Sequence, residues 1–311
     1  MSIVMDMEKQ IEKIEQQLSC LDSKSPQNEK LRSELIQLIA KIQKDTYDNL
    51  EPNDKVYLAR HPLRPNAQYY INDLFSNFVE MRGDRLYGDD SSILGGVGLF
   101  EGIPVTIIAQ MKGTTLDENI KRNFGMPHPE GFRKAQRLAT QAEKFGRPII
   151  TFIDTPGAYP GIGAEERGQA EAIAQCLMKF MELTVPVIAI IIGEGGSGGA
   201  LALSIADFIV MFEHSIYSIL SPEGFASILW KDSSRAKEAA KIMKLTAQDL
   251  QQFGIIDAII KEPIGGLHLC TGNVLAQLRE VLSRELRSLI YKEKILLLQH
   301  RYEKFRAIES V

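Results

Sequence analysis

Apolar residues along this chain fall into two rhythms, and each predicts a different element. The first is a short unbroken run between turn formers. Val187 to Ile192, VIAIII, is bounded by Pro186 and Gly193 and reads as a strand buried on both faces. Pro148 to Asp154, PIITFID, reads the same way. Gly95 to Phe100 and Val105 to Gln110 flank the turn Glu101-Gly102-Ile103-Pro104 and predict a β-hairpin. Phe208 to Phe212, Ile216 to Leu220 and Ile255 to Ile260 predict three further strands.

The second rhythm recurs at three and four residues and predicts helices. Ile11, Ile14, Leu18 and Leu21 form one stripe; Leu31, Leu35, Leu38, Ile39 and Ile42 form another. Ser25 and Pro26 stand between them as N-cap and first helical residue, which gives a helical hairpin over residues 5 to 50. Ile71, Leu74, Phe75 and Phe78 predict one face of a short helix. Glu130 to Phe145 predicts a helix with Phe132, Leu138 and Ala142 inward and Arg133, Lys134 and Arg137 on its solvated face. A helix is expected from Ala164 to about Leu183. Ser221-Pro222 opens another, closed by Trp230, and two more precede the last strand. Leu275 to Phe305 reads as one long amphipathic tail, with Leu278, Leu282, Leu286 and Ile290 at fourfold spacing.

Two strands end in glycine-rich turns that open helices. Val187 to Ile192 runs into Gly-Glu-Gly-Gly-Ser-Gly-Gly at 193–199, and Pro148 to Asp154 runs into Thr-Pro-Gly-Ala-Tyr-Pro-Gly-Ile-Gly at 155–163. Glycine permits the tight turn and leaves helix-start N–H groups uncovered, where the dipole favours negative charge. In a parallel sheet both turns fall on one edge, where open α/β folds bind ligands. Together they have the make-up of an oxyanion hole. Two other motifs share these residues. Gly193-x-Gly195-x-x-Gly198 matches the dinucleotide fingerprint, with Glu213 twenty residues on, but the helix it opens has barely two turns before Asp207. Gly195-Gly196-Ser197-Gly198-Gly199 matches a nucleophile elbow, with His214, His268 and His300 downstream. A P-loop is excluded, because no Lys-Ser/Thr follows the glycines.

Candidate side-chain chemistry is sparser. Lys112 to Phe132 reads as a long irregular segment in which Lys112, Lys121 and Arg122 suit an anion; ordinary surface cations are the plainer alternative. Asp154, Glu165 and Glu166 suit acid–base work, or a strand end and the first turn of a helix. The net charge of −4 and pI near 5.8 give no nucleic-acid or membrane surface. Cys20, Cys176 and Cys270 form no CxxC pair, so neither a zinc ribbon nor a disulfide framework is expected, and a reducing cytoplasm fits. The N-terminus has no signal-type apolar stretch, and no run reaches the ~20 residues of a membrane span.

Five stretches in order carry a family resemblance: ARHPLRP at 59–65, KRNFGMPHPEGFRKA at 121–135, IDTPGAYPGIGAEERGQ at 153–169, GEGGSGGALA at 193–202 and SPEGFASILWK at 221–231. Over nearly its whole length the chain resembles the carboxyltransferase alpha subunits of bacterial acetyl-CoA carboxylase. The resemblance implies an α/β, crotonase-like fold of stacked ββα units. It divides the chain into an N-terminal helical segment (1–52), a carboxyltransferase domain (53–265) and a C-terminal helical segment (266–311). It implies transfer of a carboxyl group from carboxybiotin, on the biotin carboxyl carrier protein, to acetyl-CoA, giving malonyl-CoA for fatty-acid synthesis. The implied partners are a beta subunit in an α2β2 assembly, which holds a zinc ribbon and most of the CoA site, and biotin carboxylase. No metal is expected in this chain. By the same analogy Gly198 and Gly199 supply the N–H donors that face biotin. The Gly157-Ala158 turn is a second candidate for neighbouring donors, and Gly157, Ala158, Tyr159, Lys112 and Arg122 are candidates for substrate contacts. Backbone donors suit this chemistry, since both reactants develop oxyanions. The biotin ureido nitrogen can take the acetyl proton, so no protein base is required.

Overall fold

The structure is a computed structural model and describes residues 2–21 and 26–308. Two helices, α1 (Ile3–Cys20) and α2 (Pro26–Tyr47), precede α3 (Pro52–Ala59) and α4 (Ala67–Leu74). Strand β1 (Ser76–Glu80) leads to the hairpin β2 (Ile93–Phe100) and β3 (Ile103–Gln110), then α5 (Leu116–Lys121), α6 (Pro129–Lys144) and β4 (Ile149–Thr155). Next come α7 (Ile162–Glu166), α8 (Gln169–Glu182), β5 (Val187–Gly196) and α9 (Ser197–Ser204). The remainder is β6 (Phe208–Phe212), β7 (Ile216–Ser218), α10 (Pro222–Trp230), α11 (Ala236–Ile242), α12 (Ala247–Gln252), β8 (Ala258–Ile260), α13 (Val274–Ile290) and α14 (Lys294–Ala307).

The eight strands form one sheet in the order β1-β2-β3-β4-β5-β6-β8, with β7 paired to the far end of β5. β1, β2 and β3 pair antiparallel; every pairing from β3 onward is parallel. Side chains alternate across the central strands, and the two sets enter different cores. Ile149, Ile153, Val187, Ala189 and Ile191 face α6, α8 and α9. Ile150, Phe152, Ile188, Ile190 and Ile192 face α4 and α13. A strand covered on both faces has no polar side to show, which is why PIITFID and VIAIII are continuous runs.

Several expectations need correction. Phe78 lies in β1, not in a helix: Phe75 is already extended, and the strand pairs with β2. Helical spacing and an aromatic strand coincide over so few residues, and the open edge of β2 decides between them. Lys134 is not on a solvated face; it is 1% exposed and bonds Asp89 Oδ1 (2.6 Å) and the Asp90 carbonyl (2.7 Å). The helix expected through 164–183 is broken by Gly168 in the left-handed region, φ 78°, into α7 and α8. Residues 112–132 are not wholly irregular, since Thr115 caps α5 there. The C-terminal tail breaks after Tyr291 into α13 and α14; Leu278, Leu282 and Leu286 are buried while Ile290 is exposed. The cap expected of Ser25 lies outside the described residues.

Candidate functional site at the glycine turns

β4 and β5 are parallel neighbours, in register from Ile149 opposite Val187, so their C-terminal ends meet. β5 continues to Gly196, and Ser197, at φ 53°, swings the chain into α9. Gly198 and Gly199 lie in the first turn of α9, where N–H groups have no acceptor four residues back. The two turns touch backbone to backbone. A Cβ on Gly199 would sit 2.5 Å from the Ala158 nitrogen and 2.7 Å from the Gly157 carbonyl carbon; one on Gly196 would sit 2.1 Å from the Pro156 oxygen. Neither neighbour can yield, so glycine is required at both. Gly198 differs: a Cβ there meets only Ile173 Cγ2, at 3.6 Å.

The partner turn contributes less than its sequence suggests. Gly157, at φ 147°, donates its N–H to Thr155 Oγ1 (3.1 Å), whose hydroxyl donates back to the Gly157 carbonyl (2.8 Å). Tyr159 donates its N–H to the Pro127 carbonyl (3.0 Å), and its ring stacks on His128. Both donors are therefore engaged, and Ala158, beside Gly199, is the remaining candidate in this turn. Outside Gly198 lies an apolar hollow of about 280 Å³, lined by Ser197, Leu201, Tyr217, Ser218 and Ile219. Burial pushes the Tyr217 phenol up to about 12, so it stays protonated at neutral pH. It shares a hydrogen bond with Ser204 Oγ (2.7 Å).

A second cleft, about 470 Å³, opens beside the turns and is polar. Lys112 follows β3 and reaches Asp154 (2.8 Å) and Glu194 (3.5 Å) at the ends of β4 and β5. Burial pulls its pKa down, but the two carboxylates outweigh that and raise it. Asp154 Oδ1 also accepts the Glu194 N–H (3.0 Å), and a Cβ on Gly193 would strike that same oxygen at 2.5 Å. Arg60 joins Glu194 (2.7 Å) to Glu223 (2.9 Å). Arg64 grips Glu262 (2.6 Å) and the Ile192 carbonyl (2.7 Å). The ARHPLRP loop is thus a fastener for the strand ends.

Lys112 therefore lines this cleft and not the hollow at Gly198. Arg122 lines neither; its guanidinium bonds the Ser91 carbonyl (3.0 Å). Glu165 and Glu166 are exposed. Glu213 bonds Lys261 (2.6 Å) and the Glu262 N–H (3.1 Å). Ser197 does not cap α9, whose N-cap is Gly196, and among the described residues no hydrogen bond reaches its Oγ. His214 packs its ring on Tyr47, and His268 stacks on His61. Glu8 Oε1 lies 3.0 Å from His268 Nε2 and 3.8 Å from His61 Nε2. His61 Nδ1 accepts the Leu63 N–H (3.2 Å), which leaves the ring proton on Nε2, facing Glu8. Tyr57 donates its hydroxyl to Glu8 Oε2 (2.6 Å), which clasps α1 to the body, and the proton on His61 Nε2 leaves no set of three free lone pairs for a cation.

One functional candidate escapes the sequence altogether. Gln110, the last residue of β3, is fully buried and donates to the Gly199 carbonyl (2.7 Å). Its position after an apolar strand gives no signal; only the crossing of β3 toward α9 reveals it.

Comparison with known proteins gives a consistent answer. The sequence model of the family described as "Acetyl co-enzyme A carboxylase carboxyltransferase-like" matches residues 4–309. A Clostridium perfringens protein named acetyl-coenzyme A carboxylase carboxyl transferase subunit alpha is 59% identical over 257 residues, covering 83% of this chain and 95% of its own. A Geobacillus protein of the same name is 51% identical over 306 residues, 98% and 93% of the two chains. Among solved structures, a transcarboxylase 12S with methylmalonyl-coenzyme A bound aligns over 70% of this chain and 41% of its own, with TM-score 0.58 and 18% identity. A Pseudomonas malonate decarboxylase hetero-tetramer in complex with coenzyme A aligns over 72% and 89%, with TM-score 0.58 and 17% identity. These distant structures share the fold, which is the crotonase-like one expected from the sequence. The chain belongs to the acetyl-CoA carboxylase carboxyltransferase family.

Proposed function

We propose that this chain is the alpha half of a carboxyltransferase active site, and that its β5–α9 turn receives carboxybiotin carried on a partner protein. The acceptor is acetyl-CoA and the product malonyl-CoA, for fatty-acid synthesis. The observation that carries this is the first turn of α9: two glycines beside an apolar hollow, one of them, Gly199, pressed on a second glycine turn. Carboxybiotin, when bound, supplies the carboxyl group. The chain's own residues hold an oxygen on which charge develops, through the N–H groups of Gly198 and Gly199, with Ala158 N–H alongside. Leu201, Tyr217 and Ile219 line the hollow with apolar surface, which excludes water once a partner covers it and so strengthens each hydrogen bond. No base is drawn from the turn: Tyr217 stays protonated and Ser197 has no described activating partner.

The side chains that suit a CoA phosphate are already paired in the polar cleft, so the CoA site falls mainly to a beta subunit, in an α2β2 assembly. The family relatives are named as subunits, and Ile219 at the hollow, with Ile228 and Leu229 on the helix α10 that follows it, stand exposed, as a covering partner requires. The reaction we propose belongs to the cytoplasm, as the scattered, unpaired cysteines lead one to expect. The purified chain alone should form no malonyl-CoA from carboxybiotin and acetyl-CoA, and should do so on mixing with a zinc-ribbon beta subunit. Full turnover by the isolated chain would show the division to be wrong.

A further inference from the structure

We infer that Gln110 is a positioning residue that sets the rotation of α9, and with it the aim of the Gly198 and Gly199 N–H groups; this rests on the assignment of that turn as the donor pair. α9, SGGALALS, is apolar around most of its circumference and has no side-chain cap. Hydrophobic burial is non-directional, so it does not choose one rotation of such a helix. Directional bonds do. Three buried side chains beneath α9 take its carbonyls: Gln110 Nε2 the Gly199 oxygen (2.7 Å), Cys176 Sγ the Ala202 oxygen (3.4 Å) and Thr151 Oγ1 the Leu203 oxygen (2.8 Å). Among the described residues, only Gln110 acts on the turn itself.

The other half of its amide argues for this role. Gln110 Oε1 is buried with no hydrogen-bond partner among the described residues. A buried orphan acceptor costs stability, and an apolar side chain of similar volume would avoid that cost. Stability alone therefore does not explain an amide here. A donor aimed at Gly199 does.

The test uses the assembled alpha–beta complex. Gln110→Met keeps the volume and removes the donor. Its melting temperature should stay within a few degrees of wild type. Its kcat for carboxyl transfer should fall about tenfold, less than the 10²–10³ of a donor lost outright, with KM for acetyl-CoA within twofold. Thr151→Val, which frees the far end of α9, should lose no more than about twofold. Gln110→Glu supplies a second readout independent of the first: as pH falls and the acid regains its O–H, it can again donate to Gly199, so its kcat relative to wild type should rise. Wild-type kcat in Gln110→Met, an equal loss in Thr151→Val, or a Gln110→Glu profile parallel to wild type would each overturn the inference. Gly199→Ala separates the two levels: its full activity would remove the donor assignment itself, whereas a crippled Gly199→Ala beside an unimpaired Gln110→Met removes only the role of Gln110.

Discussion

The glycine turns and the polar cleft beside them occupy the same edge of the sheet, yet they are built from opposite materials. The turns are backbone against backbone, with glycine where a Cβ would strike a neighbouring peptide. The cleft is side chain against side chain, with Lys112, Arg60 and Arg64 all bound to carboxylates. A reader looking for chemistry goes first to the cleft, because it holds the titratable groups. Its charges are occupied in tying β3, β4, β5 and the 59–65 loop together. The region with the fewest functional groups is the one left with free donors. Charge near a site can thus serve to hold backbone in place, and the reactive surface can be the backbone so held.

The largest expected effect lies in the turns. Gly199→Val forces a side chain into the Gly157–Ala158 peptide, and carboxyl transfer by the assembled complex should fall by 10² or more. Gly198→Ala, where the space is open, should assemble normally and lose less than about tenfold. Equal effects at the two positions, read from initial rates, would break the distinction between them. In the cleft, Lys112→Met leaves buried Asp154 without its cation, while Glu194 keeps Arg60, and should cost about 3 kcal/mol of stability, seen in denaturant unfolding. Activity per folded complex should persist. A raised KM for acetyl-CoA with unchanged stability would instead make Lys112 a substrate ligand.

A smaller effect concerns the clasp at the cleft's rim. Burial, then the neighbouring His61, lowers the pKa of His268 to about 4 in the folded chain. The unfolded chain binds a proton near pH 6.5 that the folded one refuses until about 4. Stability should therefore be lost as pH falls from about 6.5 to 4, and His268→Gln should flatten that slope in thermal melts. An unchanged slope would remove His268 as its source. The smallest effect belongs to Ser197. Ser197→Ala should turn over within about twofold of wild type, and a loss above a hundredfold, the scale of a missing acid–base group, would restore a side-chain mechanism.

Much of the central sheet was legible because burial on both faces writes itself as unbroken Ile and Val, and the glycine turns because close backbone approach admits no substitute. Legibility failed where a residue's partner is distant in sequence. Lys134 reads as surface on its own helix, and only Asp89 and Asp90, more than forty residues earlier, explain its burial. Arg301 reads as part of a charged tail, yet it is fully buried, bonding Asp207 and the carbonyls of Phe180, Leu183 and Val185. Gly157 reads as a donor until Thr155 is seen to take its N–H. The single helix expected over 275–305 has continuous periodicity, and nothing local marks the break at Tyr291–Glu293.

The claim at the centre is that the backbone of the β5–α9 turn, and no side chain, acts on the biotin half of the reaction. The reverse reaction tests it most directly: malonyl-CoA-dependent carboxylation of free biotin by the assembled complex, wild type against Gly199→Ala. The expected result is that about one-hundredth or less of the wild-type kcat remains, with KM for malonyl-CoA within twofold. Unchanged biotin carboxylation, or a loss confined to KM for malonyl-CoA, would contradict it.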